Sequence, residues 1–248
     1  MKPVIREGYK FRQDICIPCY QTNRDAQLRP AAFMDLAQEI ASWAAMELGF
    51  GSESLHVHHT AWVLSRMHVH FHQLPQWRDA TSLLSWHKGA TGLFYLRDFQ
   101  LMGPDGSLAV SATSSWVVID ERTRHFVRPD ELPPSLTLDY PVDDAIEEQA
   151  PKLVLPRGVE PEAAGEHRVS YSDIDIIGHT NNARYVVWAM DCLPLEVAVQ
   201  PMKDLYINFN KETTAGETVQ LLRLQEGNAW YVEGRVDGKS CFVVKMEY

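Results

Sequence analysis

Residues 171–191 read YSDIDIIGHTNNARYVVWAMD. The first twelve positions, Tyr171 to Asn182, form a loop crowded with polar groups, and the rest predicts a helix from about Asn182 to Cys192. Unpaired N–H groups and the dipole at the start of such a helix favour an anion or a polarised carbonyl oxygen. Asp175 and His179, four positions apart, have the chemistry to share general-base and orienting work on a water. The same residue types also build turns and caps, with Asp173 and Asp175 bonding the turn and Asn181 or Asn182 capping the helix. Spacing alone leaves both readings open.

Outward from this stretch the chain repeats itself. Upstream lies a short strand around His167 to Tyr171. Downstream come strands Asp204 to Asn210, Thr218 to Gln225, Ala229 to Val236 and Ser240 to Glu247, with turns at Glu226-Gly227-Asn228 and Asp237-Gly238-Lys239. The first half has the same order. Phe33, Leu36, Ala37, Ile40, Ala44 and Leu48 recur at three-and-four spacing, predicting a helix over Pro30 to Leu48 that opens on Pro30 and leaves at Gly49. Strands follow at Thr60 to His72, Ala80 to His87, Leu93 to Met102 and Ser107 to Asp120, with Gly103-Pro104-Asp105-Gly106 as a hairpin turn. In the first of these, alternation puts Ala61, Val63, Met67, Val69 and Phe71 on one face and Leu64, Arg66, His68, His70 and His72 on the other. A long helix whose apolar face is covered by a curled antiparallel sheet, present twice, is the α+β plan these periods predict.

Between the halves, Asp139 to Glu166 holds four prolines and little periodicity, as a linker does. Its eight acidic residues against Lys152 and Arg157 account for −6 of the net charge of −10, leaving −4 for the other 220 residues. An acidic chain of this kind is not built for a sequence-independent grip on nucleic acid or on an anionic membrane. The start, MKPVIREGYKF, reads as no signal sequence, and no apolar run approaches the roughly 20 residues of a bilayer span. Four cysteines in 248 residues form no disulfide framework, so a cytoplasmic protein with reduced thiols is expected.

The motif resembles one in the acyl-acyl carrier protein thioesterases of bacteria and plant plastids. YSDIDIIGHTNNARYVVWAMD is similar to the Asp-x-Asn-x-His pattern, Asn-rich helix entry and Tyr-x-x-Trp that open the second hotdog domain of that family. AWVLSRMHVHF, SWHKGATGLFYLRDFQL, SSWVVIDERTRHFVRP and LYINFNKETTAGETV follow the family's order, so the resemblance covers most of residues 8–248 apart from the linker. It implies a tandem (double) hotdog: an N-terminal hotdog over 1–140 that holds the acyl chain, an acidic linker over 141–165, and a C-terminal hotdog over 166–248 with the catalytic residues. It implies hydrolysis of acyl-acyl carrier protein to free fatty acid, with Asp175 and His179 on the catalytic Asp and His positions. Glu212 falls on an acidic strand position proposed to act on the hydrolytic water. Thr213 stands where some plant members have a cysteine, so a cysteine acyl-enzyme is not expected. Gly178 and Asn181 are the oxyanion or positioning candidates, and Phe33, Ile40, Trp43, Trp62 and Trp86 the acyl-pocket candidates. Neither cofactor nor metal is implied, and the partner is an acyl carrier protein, met by a monomer or a homodimer. The chain departs from the family at Ile177, which replaces an Asn. A lost donor of this kind typically costs about 2.7–4 kcal/mol of transition-state stabilisation, unless Asn181 or a backbone N–H takes its place.

Other readings stay open on these residues: the same fold acting on acyl-coenzyme A, a hotdog dehydratase or hydratase, and a weakly active or non-catalytic acyl-thioester-binding protein. His68, His70 and His72 share a strand face, but same-face neighbours are about 7 Å apart, so a solvated face is preferred to a metal site. Cys16 and Cys19 read as neighbouring thiols without a helix start to activate them, and Cys192 and Cys241 as small core residues. Arg66, Arg97, Arg122, Arg124, Arg128, Lys203 and Lys211 supply basic charge for an acidic carrier surface or serve solubility alone.

Overall fold

The computed structural model describes residues 3–128 and 142–248, in two compact units, Met1–Ala150 and Pro151–Tyr248. Residue 141, where the sequence starts the linker, and the side chain of His56 lie outside the described residues.

Unit 1 runs β1 (Ile5–Glu7), β2 (Lys10–Cys16), α1 (Pro30–Glu47), α2 (Ser52–Val57), β3 (Thr60–Phe71), β4 (Ala80–Thr91), β5 (Phe94–Met102), β6 (Leu108–Asp120) and β7 (Phe126–Val127). Its antiparallel strands lie in the order β1-β2-β4-β5-β6-β3, with β7 beside β6. Pro30 opens α1 and Gly49, at φ +81°, follows its end, both as the sequence predicts. The buried stripe of α1, with Phe33, Leu36, Ala37, Ile40 and Ala44, packs on the apolar sheet face of Phe11, Leu83, Phe99, Leu101, Ala112, Val69 and Phe71.

Strand β3 departs from its predicted alternation. A bulge lies between Leu64, paired with Trp116, and Arg66, paired with Ser115. One extra residue reverses the parity of everything before it. Leu64 is therefore buried with Met67, while Ala61 and Val63 are half-buried. Beyond the bulge the alternation holds: Met67, Val69 and Phe71 are buried, and the rings of His70 and His72 lie side by side at 4.5 Å on the other face. Among the described residues, no group of three His, Cys, Asp or Glu is placed to hold a metal ion.

Unit 2 runs β8 (Glu162–Arg168), α3 (Asn182–Asp191), α4 (Leu195–Ala198), β9 (Asp204–Phe209), β10 (Thr218–Glu226), β11 (Ala229–Val236) and β12 (Lys239–Glu247), in the strand order β9-β12-β11-β10-β8. Strand β8 begins at Glu162, five residues before the predicted start. Its sequence, EAAGEHR, has no apolar alternation, so its pairing with β10 is a backbone event that periodicity does not record. On α3, Ala183, Tyr185, Val186, Trp188 and Ala189 are buried, and Phe242 of β12 packs on Tyr185 and Trp188 at ring distances of 5.0 and 6.2 Å. That ring lies across Gly234, where a Cβ would stand 2.0 Å from Phe242 Cε1, so no larger residue fits. The four cysteines are free, Cys16 and Cys19 exposed, Cys192 and Cys241 buried, and burial pushes the Cys192 thiol up to about 11.

The acidic segment between the predicted halves is anchored rather than loose. Asp143 takes hydrogen bonds from Tyr9 OH (2.7 Å) and Lys10 Nζ (2.9 Å) on its carboxylate and from Trp86 Nε1 (2.7 Å) on its carbonyl. Lys88 Nζ, extended from a bulge in β4, reaches Asp144 (2.8 Å), the Ile146 carbonyl (2.6 Å) and Asp98 (3.2 Å), and Asp98 also accepts from Ala145 N–H at 2.7 Å. In unit 2, Asn208 bonds Pro151 O and Leu153 N, and Leu155 packs on Leu224, Ala229 and Tyr231. The Lys88 and Asp98 side chains are 4% and 0% exposed, so each charge depends on the other. Lys88→Met is therefore expected to lower stability by about 3–5 kcal/mol, and Lys88→Met with Asp98→Leu to recover part of that loss. Urea unfolding monitored by tryptophan fluorescence measures both, and a single-variant loss below about 1 kcal/mol contradicts the account.

Candidate active site

The polar loop opens on an anchor that the sequence reading treats as a turn. Tyr171–Asp173 is a 3-10 turn, and the buried Asp173 carboxylate accepts from Ser170 N–H (2.8 Å) and His167 Nε2 (2.9 Å). The His167 ring lies 4.3 Å from that of Trp188. Asp173 O accepts from Asn181 N–H at 2.8 Å, and Ile174 and Thr180 form an antiparallel bridge. Both ends of the loop are thus tied together at Asp173. Burial works to raise the Asp173 carboxyl, but the bonds and charge from His167 and the Ser170 N–H outweigh it and hold it below the ordinary carboxylate range.

Inside the loop, Asp175 N–H donates to His179 O (2.9 Å), Gly178 N–H to Asp175 O (3.1 Å), and Ile177 N–H to the Asp175 carboxylate (2.9 Å). Gly178 is at φ +89°, a left-handed conformation this turn requires. Asn181 caps α3, its side-chain oxygen accepting from Ala183 N–H at 2.9 Å. The backbone N–H groups of Gly178 and Asn181 are engaged inside the loop, and what both residues visibly do is shape it. Ile177 is 64% exposed and Ile176 fully exposed, while the Ile177 backbone N–H fixes Asp175.

His179 and Glu212 are brought together across 33 residues. His179 Nδ1 lies 3.5 Å from Glu212 Oε2, with both side chains 35% exposed. Glu212 stands in the loop after β9 rather than on a strand, three residues beyond its end at Phe209. The pair rests on a network that the sequence reading missed. Thr180 N–H donates to Thr213 O at 2.9 Å, and the Thr180 and Thr213 hydroxyls are 2.7 Å apart. Tyr185 OH, on the first turns of α3, lies 3.0 Å from Thr213 Oγ1 and accepts from Thr213 N–H at 3.1 Å. Thr213 is fully buried, and burial raises the Tyr185 phenol above its ordinary value, keeping it neutral. The partners are 28 and 33 residues apart, so only the fold reveals the network; a hydroxyl next to each candidate was its faint trace in sequence.

The acyl-pocket candidates separate. Phe33 and Ile40 are fully buried on the inner stripe of α1. Trp62 is half-buried, bonds the Phe50 carbonyl through Nε1 (2.9 Å), and sets its ring edge-on to Tyr95 at 4.9 Å. Trp43 departs from the expectation: it lies on the outer side of α1, 44% exposed, with Nε1 bonded to Glu39. Trp86 is buried on the sheet face opposite α1, paired with Asp98 and under Asp143, one residue out of phase with Ser85.

Because the folded-state value of Asp173 lies below its unfolded one, its bonds add stability at pH values above the ordinary carboxylate value. That contribution is lost as pH falls through the depressed value. Asp173→Asn is expected to cost about 1–3 kcal/mol at neutral pH and less with acidification, read as the difference in Tm between variant and parent across pH 7 to 3.

The model of the acyl-ACP thioesterase N-terminal domain matches residues 8–133, and that of the C-terminal domain matches residues 159–237. An oleoyl-acyl carrier protein thioesterase of Arabidopsis thaliana is 23% identical over 90% of this chain and 65% of its own length. An acyl-[acyl-carrier-protein] hydrolase of Cuphea viscosissima is 25% identical over 86% of this chain and 54% of its own. The chain thus spans about half to two thirds of the length of these curated relatives. Among solved structures, an acyl-ACP thioesterase from Bacteroides thetaiotaomicron superposes with a TM-score of 0.87 at 21% identity, covering 96% of this chain and 97% of that one. The 12:0-ACP thioesterase from Umbellularia californica gives 0.81 at 23%, covering 98% of each. These likenesses show the tandem hotdog fold that the family resemblance implies and with which the repeated helix-and-sheet plan agrees. The two model matches cover most of the chain, which therefore belongs to the acyl-ACP thioesterase family.

Proposed function

We propose that the chain hydrolyses acyl thioesters of acyl carrier protein, releasing free fatty acid, with the acyl chain held by unit 1 and the catalytic groups supplied by unit 2. The observation that carries this reading is the approach of His179 Nδ1 to Glu212 Oε2 at 3.5 Å, in a solvent-reachable position within the family-matched segment. The separation is longer than a good hydrogen bond and of the kind that tightens when substrate enters. Glu212 takes a proton from a water whose oxygen attacks the thioester carbonyl carbon. With Nδ1 turned toward Glu212, His179 presents Nε2 to the substrate, orienting the water or donating to the oxyanion. The start of α3, three residues beyond His179, adds the positive end of its dipole. Collapse of the tetrahedral intermediate breaks the C–S bond, and the proton held by Glu212 returns to the leaving thiolate. Asp175, its carboxylate fixed by the Ile177 N–H, shapes the loop that carries His179.

Thr213 supports a direct attack by water over an acyl-enzyme, because it is fully buried and its hydroxyl is committed to Thr180 and Tyr185. A cytoplasmic site of action agrees with four free thiols, and among the described residues no helix is long and apolar enough to cross a membrane.

Thiol release from a panel of acyl carrier protein and coenzyme A thioesters tests the reading. Alanine at Glu212 or His179 is expected to lower kcat by about 10²–10⁴-fold, and at Asp175 by a smaller factor through loop geometry. Full activity of all three variants rejects the assignment, and binding without turnover by the parent favours an acyl-binding role. Arg122 and Arg124 are exposed on the turn after β6. Reversing both charges is expected to raise KM for carrier-protein substrates several-fold more than for acyl-coenzyme A, and equal effects place the carrier elsewhere.

A further inference from the structure

Arg97 stands on the inner face of unit 1, where hydrocarbon is the rule. Its cross-strand neighbours are His87 on β4 and Ser114 on β6, and Ser114 is paired in turn with Met67 on β3. Along β5 it lies between Tyr95 and Phe99, on the side that carries Leu101, Ala112 and Val69 and packs on α1. Its sequence neighbour Asp98 points to the opposite face, where Lys88 and Ala145 N–H hold the carboxylate. Among the described residues the guanidinium has one side-chain partner, Ser85 Oγ at 3.1 Å, and no carboxylate. A guanidinium carries five N–H donors, so most of its capacity is unspent.

Burial pushes Arg97 down to about 10, yet the residue is not sealed by protein, being half-buried where Tyr95, Phe99 and Ser114 around it are buried. Part of the residue's surface is thus left uncovered by protein, and its register places it on the inner sheet face. Its surroundings on that face are aromatic. Tyr95, two residues from Arg97 on the same strand face, is met edge-on by Trp62, and Trp116, opposite Tyr95, donates from Nε1 to Ser114 Oγ at 2.8 Å.

A plain hydrocarbon chain gives a guanidinium nothing to bond, and an unmatched buried charge is costly. We propose that Arg97 is a specificity residue that recognises a hydrogen-bond-accepting oxygen on the acyl chain, and that the preferred substrates are acyl thioesters bearing a hydroxyl, keto or carboxylate group rather than saturated chains. The inference rests on the proposed assignment of the acyl chain to unit 1. Ser85 holds the guanidinium in place, and the rings of Tyr95, Trp62 and Trp116 pack on the chain carbons.

The test compares kcat/KM for carrier-protein thioesters of one chain length in four forms: saturated, hydroxylated, keto and terminally carboxylated. The parent is expected to favour at least one oxygenated form roughly 10- to 100-fold over the saturated one, the range for one hydrogen bond to a charged group. Arg97→Met is expected to abolish that ratio and Arg97→Lys to retain part of it. The oxygenated form that wins identifies the group. Calorimetric titration with the corresponding free acids gives the same comparison without catalysis, and Arg97→Gln serves if the Met variant does not fold. Equal use of all four chains by the parent, or an unchanged ratio in a folded Arg97 variant, overturns the inference. Absence of all turnover in the parent refutes the proposed hydrolysis instead, and the titration then decides on Arg97.

Discussion

One backbone hydrogen bond, from Thr180 N–H to the Thr213 carbonyl, sets the geometry on which the candidate site depends. It joins a loop before α3 to a loop after β9, and the residues immediately before its two partners are His179 and Glu212. Alone, such a bond is worth about 1 kcal/mol and holds an approach loosely. Here it is backed by two hydroxyls and a phenol that no water reaches, each with a partner, so breaking any one leaves a buried polar group unmatched. The two half-exposed side chains in front are thus carried on backbone that cannot drift, while they themselves stay open to a substrate.

The two units solve one packing problem with different surplus. Each lays a helix on the apolar face of an antiparallel sheet. Unit 1 has the longer helix, 18 residues against 10, and strands of 12 and 13 residues, hence a larger inner face. That face carries one cation, Arg97, and the outer face carries the Lys88–Asp98 pair that fastens residues 144–146. Unit 2 closes its smaller core with Tyr185, Trp188 and Phe242 and puts its polar residues into loops. The proposed roles, acyl chain in unit 1 and catalytic groups in unit 2, agree with that division.

Periodicity was a good guide where one face of an element is buried and the other is not. The ends of α1, α3, β3, β5, β6, β9, β10 and β12 fall within a residue or two of the predicted ones, because Pro30, the turn glycines and the asparagine cap act locally. It failed where a nonlocal partner sets the answer. The bulge in β3 exists only in its pairing with β6, so the faces of Ala61, Val63 and Leu64 could not be read from the strand alone. Strand β8 is fixed by β10, and contacts from Lys10, Lys88 and Asp98 turn a proline-rich acidic stretch into an anchored one. Trp43 and Trp86 illustrate a different limit: large apolar residues are expected inside, but one turns its indole to Glu39 and the other to a backbone carbonyl on the far face. At the candidate site, the family motif drew attention to Asp175, His179 and Glu212, of which the fold brings His179 and Glu212 together. The hydroxyl network and the Asp173 anchor were not, since serines, threonines and aspartates near a helix start look alike whatever they hold.

Three carboxylates gather around one loop, and their surroundings divide the labour between them. Asp173 is buried, doubly bonded and held in its ionised form by His167, which suits an anchor and unsuits a base that must gain and lose a proton. Asp175 is bound to the backbone N–H two residues on, a bond that makes the turn and lets Gly178 take its left-handed conformation. Glu212 meets an imidazole while about a third of its side chain stays exposed, where Asp173 meets His167 in a buried position. The Ile177 departure also takes a definite meaning from this arrangement. The residue's backbone contributes the bond that fixes Asp175, and its side chain faces solvent beside Ile176. An isoleucine side chain offers no hydrogen bond of its own, and at 64% exposure it is not part of the packed interior. Whatever a polar side chain supplies at this position in relatives, the loop here is held without it, by one backbone N–H.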